Sequence, residues 1–235
     1  MSPENARHEP GLRLFLDSAD PAEWSRFLPL GYFYGVTTNP LLLERAGQAC
    51  TVDNLSRLGG LARQQGVREI QMQTWGRGPE EMVTIGEKLA DLALPGMRVV
   101  IKIPASAEGF QAAGILRENG RDVTMTAVFT AGQVVASASL GAAYAAPYLG
   151  RLDDAGQDGT AKVMTMLEIL KGTGSVTRLL TASLRTAEQV VDLAARGLDT
   201  FTIGTRVASD LVASSLTRKA AADFQRAAEA MGGES

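Results

Sequence analysis

Histidine and cysteine are almost absent from this sequence of 235 residues, which contains one of each, His8 and Cys50. Two such residues cannot supply the ligands of a His/Cys zinc site, and one cysteine cannot form an internal disulfide. His8 lies in a polar opening segment, residues 1–11, that we expect to be flexible, and we predict that His8 is dispensable. An enzyme with this composition therefore has to work with carboxylates, lysine, tyrosine, hydroxyls and amides.

A strong excess of charge is also missing. Lys and Arg number 23 and Asp and Glu number 26, giving a net charge of −3, so no basic surface indicates nucleic-acid binding. No basic and apolar leader is evident, and we expect a cytoplasmic protein. Residues 123–150 carry no charge and are long enough to span a membrane. Gln133, Pro147 and several Thr, Ser and Gly interrupt them, which favours a buried strand, helix and strand over a membrane helix.

The apolar pattern alternates between short β-rich runs and helical segments. Strands are predicted over 12–17, 33–39, 69–75, 98–104, 123–130, 144–151, 176–183 and 200–205. Helices are predicted over 21–28, 41–65 with breaks near Gly47 and Gly59-Gly60, 79–93, 107–119, 131–140, 160–171, 186–197 and 206–231. Strands separated by helices pair in parallel. Eight such units predict an α/β protein, a single (β/α)8 TIM barrel over 12–235 with an extended C-terminal helix. A doubly wound open sheet is the alternative, although G-x-G-x-x-G after the first strand is lacking.

Barrel enzymes place their reactive groups at the carboxyl ends of the strands, so the polar residues there are the candidate site. They are Asp17, Thr38, Asn39, Gln73, Lys102, Thr126, Tyr148, Arg151, Ser183 and Arg185.

Lys102 is the most informative of these residues. It lies between Ile101 and Ile103, and alternation along a strand turns it into the barrel while the isoleucines face the helices. Burial favours the neutral amine over the ammonium, and a neutral amine is the nucleophile that forms a Schiff base with a carbonyl. The alternative is a structural ion pair between Lys102 and Asp17.

Asp17 and Tyr148 each have a chemical and a structural interpretation. Asp17 could transfer protons or cap the first helix, although Asp20 is better placed as the cap. The Tyr148 hydroxyl could donate to a water or carbonyl, or the ring could simply pack at the top of the barrel.

Arg151, Ser183 and Arg185 offer the donors that bind a phosphate. Arg151 could instead pair with Asp153 or Asp154. The acidic run over 153–158 lacks the spacing of a calcium loop, and we predict a capped turn there and no metal site.

Several segments together resemble the transaldolase family, in particular the small-subunit branch that includes fructose-6-phosphate aldolase. The resemblance covers about residues 12–225 and rests on LFLDSAD, GVTTNP, VVIKIP, TMTAVF, APYLGRLDDAGQDG and TASLRT. It implies a (β/α)8 barrel and a class I aldolase, which uses no metal or other cofactor and acts on sugar phosphates. It also implies rings of five subunits, often stacked in pairs.

The same resemblance implies roles for individual residues. The Schiff-base lysine falls on Lys102, the acid/base aspartate on Asp17, the substrate-binding asparagine on Asn39 and the threonine that helps hold the catalytic water on Thr126. The phosphate-binding Arg and Ser fall on Arg151 and Ser183, with a further basic position at Arg185.

The positions that distinguish the branches of the family give a mixed pattern. Gln73, Ala146 and Tyr148 match the fructose-6-phosphate aldolase pattern, whereas GRLDD matches small transaldolases and Thr124 matches neither. We expect an aldolase that forms a lysine-bound dihydroxyacetone enamine from fructose 6-phosphate. The first alternative is a transaldolase of the pentose phosphate pathway, which transfers dihydroxyacetone from sedoheptulose 7-phosphate or fructose 6-phosphate to an aldose phosphate. A barrel isomerase or epimerase and a non-catalytic sugar-phosphate-binding barrel are further alternatives.

The last helical stretch is longer than barrel closure needs. We predict a homo-oligomer, a pentamer or decamer, in which the apolar side chains of this stretch cover a neighbouring subunit. The side chains considered are Val207, Leu211, Phe224, Ala228 and Met231.

Overall fold

The computed structural model describes residues 11–232 and contains a ring of eight parallel strands. Strands β1 to β8 span Arg13–Asp17, Phe33–Thr37, Glu69–Gln73, Arg98–Pro104, Val123–Val128, Tyr144–Pro147, Arg178–Leu179 and Thr200–Ile203. Successive strands pair in order, β1 also pairs with β8, and the Thr202 amide donates to the Thr181 carbonyl at 3.0 Å where β8 meets the segment after β7. The predicted single (β/α)8 barrel is confirmed. His8 and the rest of the opening segment, apart from Gly11, lie outside the described residues.

The helices lie between the strands, and most begin at a side chain that accepts from a first-turn amide. Helices α1 to α11 span Pro21–Phe27, Pro40–Arg45, Val52–Gln64, Pro79–Ala90, Ala107–Glu118, Ala131–Ser139, Leu149–Asp154, Gly159–Gly172, Ala187–Ala195, Thr205–Leu211 and Ser215–Ala230. Asp20 caps α1, its carboxylate accepting from the Ala22 amide at 2.8 Å. The interpretation of Asp17 as the cap is therefore wrong.

Two apolar layers hold the barrel. The larger lies between strands and helices and includes Ile101 and Ile103, both fully buried. The smaller fills the inside of the barrel and consists of Phe15, Tyr34, Val100, Tyr144, Ala146 and Leu180. Val100 and Lys102 share the inner face of β4, as strand alternation predicts.

The predicted strand over 144–151 is too long, because β6 ends at Pro147 and α7 begins two residues later. The Gly150 amide donates to the Ser183 carbonyl at 3.0 Å, which ties the start of α7 to the segment after β7. A Cβ at Gly150 would lie 2.3 Å from that carbonyl oxygen, so glycine is what permits this approach. Arg151 is consequently on a helix rather than a strand.

Several further predicted boundaries differ, and three segments show this most clearly. The strand over 176–183 shrinks to the two residues of β7, followed by isolated bridges. The helical stretch 41–65 divides before α3, but α3 runs through Gly59, where a Cβ would meet Leu94 at 2.7 Å. The stretch 206–231 forms two helices, α10 and α11.

The extended C-terminal helix is confirmed, since α11 buries none of its side chains. Phe224 and Met231 are exposed on it, whereas Val207 on α10 is only 3% exposed because it packs on its own barrel. Val207 is therefore wrong as a subunit-contact residue, and the homo-oligomer stays a prediction. Across residues 11–232, no helix combines the length and apolarity that a membrane span requires.

Candidate active site

A cavity of about 720 Å³ lies at the carboxyl ends of the strands. It brings together all but two of the predicted site residues: Asp17, Asn39, Gln73, Lys102, Thr126, Tyr148, Arg151 and Ser183. Their positions follow from strand alternation and from the short helices that start directly after β2 and β6.

Thr38 and Arg185 do not line this cavity. Thr38 is buried, and its hydroxyl donates to the Gln71 carbonyl at 3.3 Å, so it joins the ends of β2 and β3. Arg185 forms an ion pair with Asp154 and donates to the Gly150 carbonyl at 3.3 Å. Both contacts hold α7, the helix that carries Arg151.

Lys102 is 3% exposed and faces the cavity. Within residues 11–232, its side-chain nitrogen has no hydrogen bond or ion pair. The alternative of a structural Lys102–Asp17 ion pair is therefore wrong, and Asp17 is held instead by Thr37. A buried lysine without a compensating carboxylate is unusual in a folded protein, because an isolated buried charge costs several kcal/mol or more.

Asp17 is held by a chain of hydroxyls. Its Oδ1 accepts from the Thr37 hydroxyl at 2.6 Å, and the Thr37 and Thr202 hydroxyl oxygens lie 2.5 Å apart. Thr37 and Thr202 belong to β2 and β8, which flank β1 on its two sides. The carboxylate is thus fixed from one side and open to the cavity on the other.

Tyr148 and Thr126 form a second polar group on the opposite part of the wall. Their hydroxyl oxygens lie 2.9 Å apart, and the ring of Phe129 packs edge-on against Tyr148 with a centroid distance of 5.8 Å. The tyrosine is therefore oriented by packing, as one interpretation held, while its hydroxyl still faces a polar cavity.

Two cavity residues have a left-handed backbone without being glycine. Ala127 has a φ of 53° and Ser183 a φ of 59°. Ala127 lies at the irregularity between β5 and β6, and the carbonyl of Ser183 binds the start of α7. Such conformations are uncommon outside glycine and are concentrated at functional sites, so both mark this wall as a constrained part of the fold.

The strand-end reasoning missed several other polar cavity residues, among them Glu23, Arg45 and Thr202. Arg45 shares a helix face with Leu42 and Ala46, which also line the cavity, and this i, i+3, i+4 spacing after the cap Asn39 was a usable signal. Thr202 lies between Phe201 and Ile203, the same pattern of a polar residue between two apolar ones that indicated Lys102. Glu23 sits in the first turn of α1, and nothing in the local pattern singles it out.

Metal ligands do not cluster in residues 11–232, where no group of three or more His, Cys, Asp or Glu side chains is placed to hold an ion. The cavity instead presents the amine of Lys102, the hydroxyl-bound carboxylate of Asp17 and the paired hydroxyls of Tyr148 and Thr126. The guanidinium of Arg151 lines it as well, and its other charged lining residues are Asp20, Glu23 and Arg45. This set can add an amine to a carbonyl, move protons and bind an anion.

The fold and the cavity define the class of this protein: a (β/α)8 barrel with a buried lysine and convergent polar groups at the carboxyl ends of its strands. The family model described as Transaldolase/Fructose-6-phosphate aldolase matches residues 14–233. The chain therefore belongs to the transaldolase/fructose-6-phosphate aldolase family, and it is an enzyme that transfers or cleaves ketose units.

Several curated relatives support this assignment along most of their length. A probable transaldolase of Anaeromyxobacter dehalogenans is 34% identical over 223 residues, covering 93% of this chain and 99% of the relative. A probable transaldolase of Methanococcus vannielii is 32% identical over 206 residues, covering 88% and 92%. One of Dehalococcoides mccartyi is 32% identical over 213 residues, covering 91% and 96%.

Proposed function

We propose that this protein is a class I aldolase that cleaves or forms ketose phosphates, such as fructose 6-phosphate, through a Schiff base on Lys102. The observation that carries the proposal is the buried Lys102 side chain, which faces the cavity and has no carboxylate partner among the described residues. A primary amine that faces a cavity and is not engaged in an ion pair is available to add to a carbonyl.

The first step forms the iminium. The Lys102 nitrogen adds to the C2 carbonyl of the ketose, and the carbinolamine then loses water to give an iminium bonded to the enzyme. We assign Asn39, which caps α2 and lines the cavity wall, to a substrate hydroxyl. Arg151 and Ser183 supply donors for the phosphate across the cavity.

The second step cleaves the bond between C3 and C4. Asp17 accepts the proton of the C4 hydroxyl, the electron pair of the breaking bond moves into the iminium, and an aldehyde leaves. The three-carbon enamine that remains takes a proton at C3 from a water held by Tyr148, Thr126 and Gln73. Hydrolysis of the resulting iminium then releases dihydroxyacetone and restores the amine.

Transaldolase activity is the second candidate, and the names of the curated relatives favour it. In that reaction an aldose phosphate captures the enamine before it is protonated. What supports the aldolase is the Tyr148 hydroxyl, 2.9 Å from that of Thr126, because it adds a group able to deliver a proton to the enamine.

Reductive trapping tests the proposal. The protein is incubated with fructose 6-phosphate and borohydride, digested and mapped by mass spectrometry. We expect a three-carbon or six-carbon adduct on the peptide that contains Lys102, and none with Lys102→Met. A folded protein without any adduct would contradict the Schiff base and favour a non-catalytic sugar-phosphate-binding barrel.

Tyr148→Phe is expected to shift the products from dihydroxyacetone release toward transfer. Loss of the hydroxyl removes one donor from the proposed water, and release should fall by about tenfold, the equivalent of one hydrogen bond. Transfer to erythrose 4-phosphate should fall less. The measurement is free dihydroxyacetone and transfer product in the same assay, and an unchanged ratio would exclude a role for the phenol in protonation.

Arg151→Gln is expected to raise the KM for fructose 6-phosphate by about tenfold, since a charge-assisted hydrogen bond contributes roughly 1.5–3 kcal/mol. Arg185→Gln is the matched control, because Arg185 is already paired with Asp154 outside the cavity. Its KM should change by less than about threefold, the scale of an exposed ion pair. Equal effects of the two substitutions on KM would contradict the assignment of Arg151, and not Arg185, to the phosphate.

A further inference from the structure

Thr202 has no role in the proposed reaction steps, yet it is one of the most enclosed hydroxyls of the cavity wall. It is 3% exposed, and its oxygen lies 2.5 Å from that of Thr37, which is fully buried. Thr37 in turn donates to the Asp17 carboxylate at 2.6 Å. Three neighbouring strands, β8, β2 and β1, thus contribute one side chain each to a single hydrogen-bonded chain.

The direction of this chain follows from counting protons. An ionised carboxylate only accepts, and a hydroxyl has one proton to donate. The Thr37 proton is used for Asp17. The contact between the two threonines therefore requires Thr202 to donate to Thr37, and the chain runs from Thr202 through Thr37 to Asp17.

We propose that Thr202 is a positioning residue for Asp17 and acts through Thr37. Its proton fixes the rotation of the Thr37 hydroxyl, so that the Thr37 proton points at the carboxylate and not at substrate. Hydrogen bonds in such a chain polarise one another, which strengthens the bond that Asp17 receives. The free face of the carboxylate is then held toward the cavity, where the substrate hydroxyls would lie.

This inference rests on the proposed function, in which Asp17 accepts a proton during cleavage. It separates two steps of the reaction. Formation of the iminium on Lys102 does not use Asp17, whereas cleavage does. Loss of the Thr202 hydroxyl should therefore leave reductive trapping intact while it slows turnover.

The test compares three variants. Thr202→Val keeps the shape of the side chain and removes the hydroxyl, and Thr202→Ser keeps the hydroxyl. Thr181→Val is the matched control, because the buried Thr181 hydroxyl has no hydrogen-bond partner within residues 11–232. Each variant is assayed for kcat, KM, thermal unfolding and borohydride trapping with fructose 6-phosphate.

Thr202→Val should lower kcat by about tenfold, the equivalent of one hydrogen bond. We expect its KM within about twofold of wild type and its trapping at Lys102 unchanged, since neither depends on the lost bond. Thr202→Ser should restore kcat to within about twofold, and Thr181→Val should leave it unchanged, since only the chain to Asp17 matters. Should Thr202→Val unfold, Thr202→Ala carries the same expectation.

A folded Thr202→Val with wild-type kcat overturns the inference, as does a Thr202→Ser variant that is as slow as Thr202→Val. Wild-type protein that gives no adduct at Lys102 would instead overturn the proposed function. The two failures are therefore distinguishable in one set of experiments.

Discussion

Lys102→Met is expected to abolish turnover and, at the same time, to make the fold more stable. The proposed reaction has no route without an amine, so kcat should fall by about 10⁴-fold or more, the order seen when a covalent catalyst is removed. The same side chain is 3% exposed and lacks a compensating carboxylate in residues 11–232. Methionine fills a similar volume without a polar group, so the free energy of unfolding should rise by about 1–2 kcal/mol.

The opposite signs of these two effects are the informative result. If Lys102 stabilised the fold, its replacement would lower the free energy of unfolding. Activity and urea denaturation are measured on the same preparation, with Lys162→Met on the exposed surface of α8 as the control. Substantial residual turnover, or a marked loss of stability together with lost activity, would contradict the assignment of Lys102 as the nucleophile.

The position of Lys102 could be predicted from the sequence because the necessary information is local. A lysine between two isoleucines in a β-rich segment has to face away from them, and a strand followed by a helix identifies the carboxyl end. The same reasoning applied to β8 would have found Thr202, between Phe201 and Ile203.

Arg185 and the start of α7 required contacts between distant segments. Arg185 follows Ser183 closely in sequence, which suggested one shared phosphate site. In the structure its guanidinium pairs with Asp154, a residue outside its own segment. The strand over 144–151 likewise ends because Gly150 binds the Ser183 carbonyl. Contacts of this kind join distant segments, so the apolar pattern within one segment does not predict them.

The cavity and the buried ion pair of the barrel lie at opposite ends of the strands. The cavity lies at the carboxyl ends, while the buried Glu69 begins β3 and the half-buried Arg98 begins β4. The Glu69 carboxylate accepts from Arg98 at 2.9 Å, from the Tyr144 hydroxyl at 2.9 Å and from the Gln71 amide at 2.8 Å. These contacts make Glu69 the residue where we expect the largest loss of stability.

Glu69→Ala is expected to lower the free energy of unfolding by about 3 kcal/mol, because three donors lose their acceptor inside the barrel. Glu69→Gln should cost only about 1 kcal/mol. The glutamine side chain has a similar volume and keeps one acceptor oxygen. Its NH2 group, however, would face the side-chain NH2 of Gln71, and both groups are donors. Glu118→Ala, at an exposed position on α5, is the control and should change stability by less than about 0.5 kcal/mol. If urea denaturation at pH 7 gave equal values for Glu69→Ala and Glu118→Ala, the network would contribute nothing.

The pH dependence of the same variants shows whether burial or Arg98 dominates at Glu69. Burial raises the pKa of the Glu69 carboxyl, and the charge of Arg98 and the hydrogen bonds oppose this only in part. The folded protein then holds the proton more tightly than the unfolded chain, whose glutamates titrate near about pH 4.3. Above that pH, unfolding releases a proton from Glu69. The free energy of unfolding of the wild type, relative to that of Glu69→Gln, should therefore fall as the pH rises toward the folded pKa, and then level off.

The opposite case is that the attraction of Arg98 exceeds the cost of burial, so that the folded pKa of Glu69 lies below the unfolded one. The same difference in free energy of unfolding would then rise with pH, and it would do so below about pH 4.3. Denaturation of both proteins across this range therefore decides between the two causes by the sign of the slope alone.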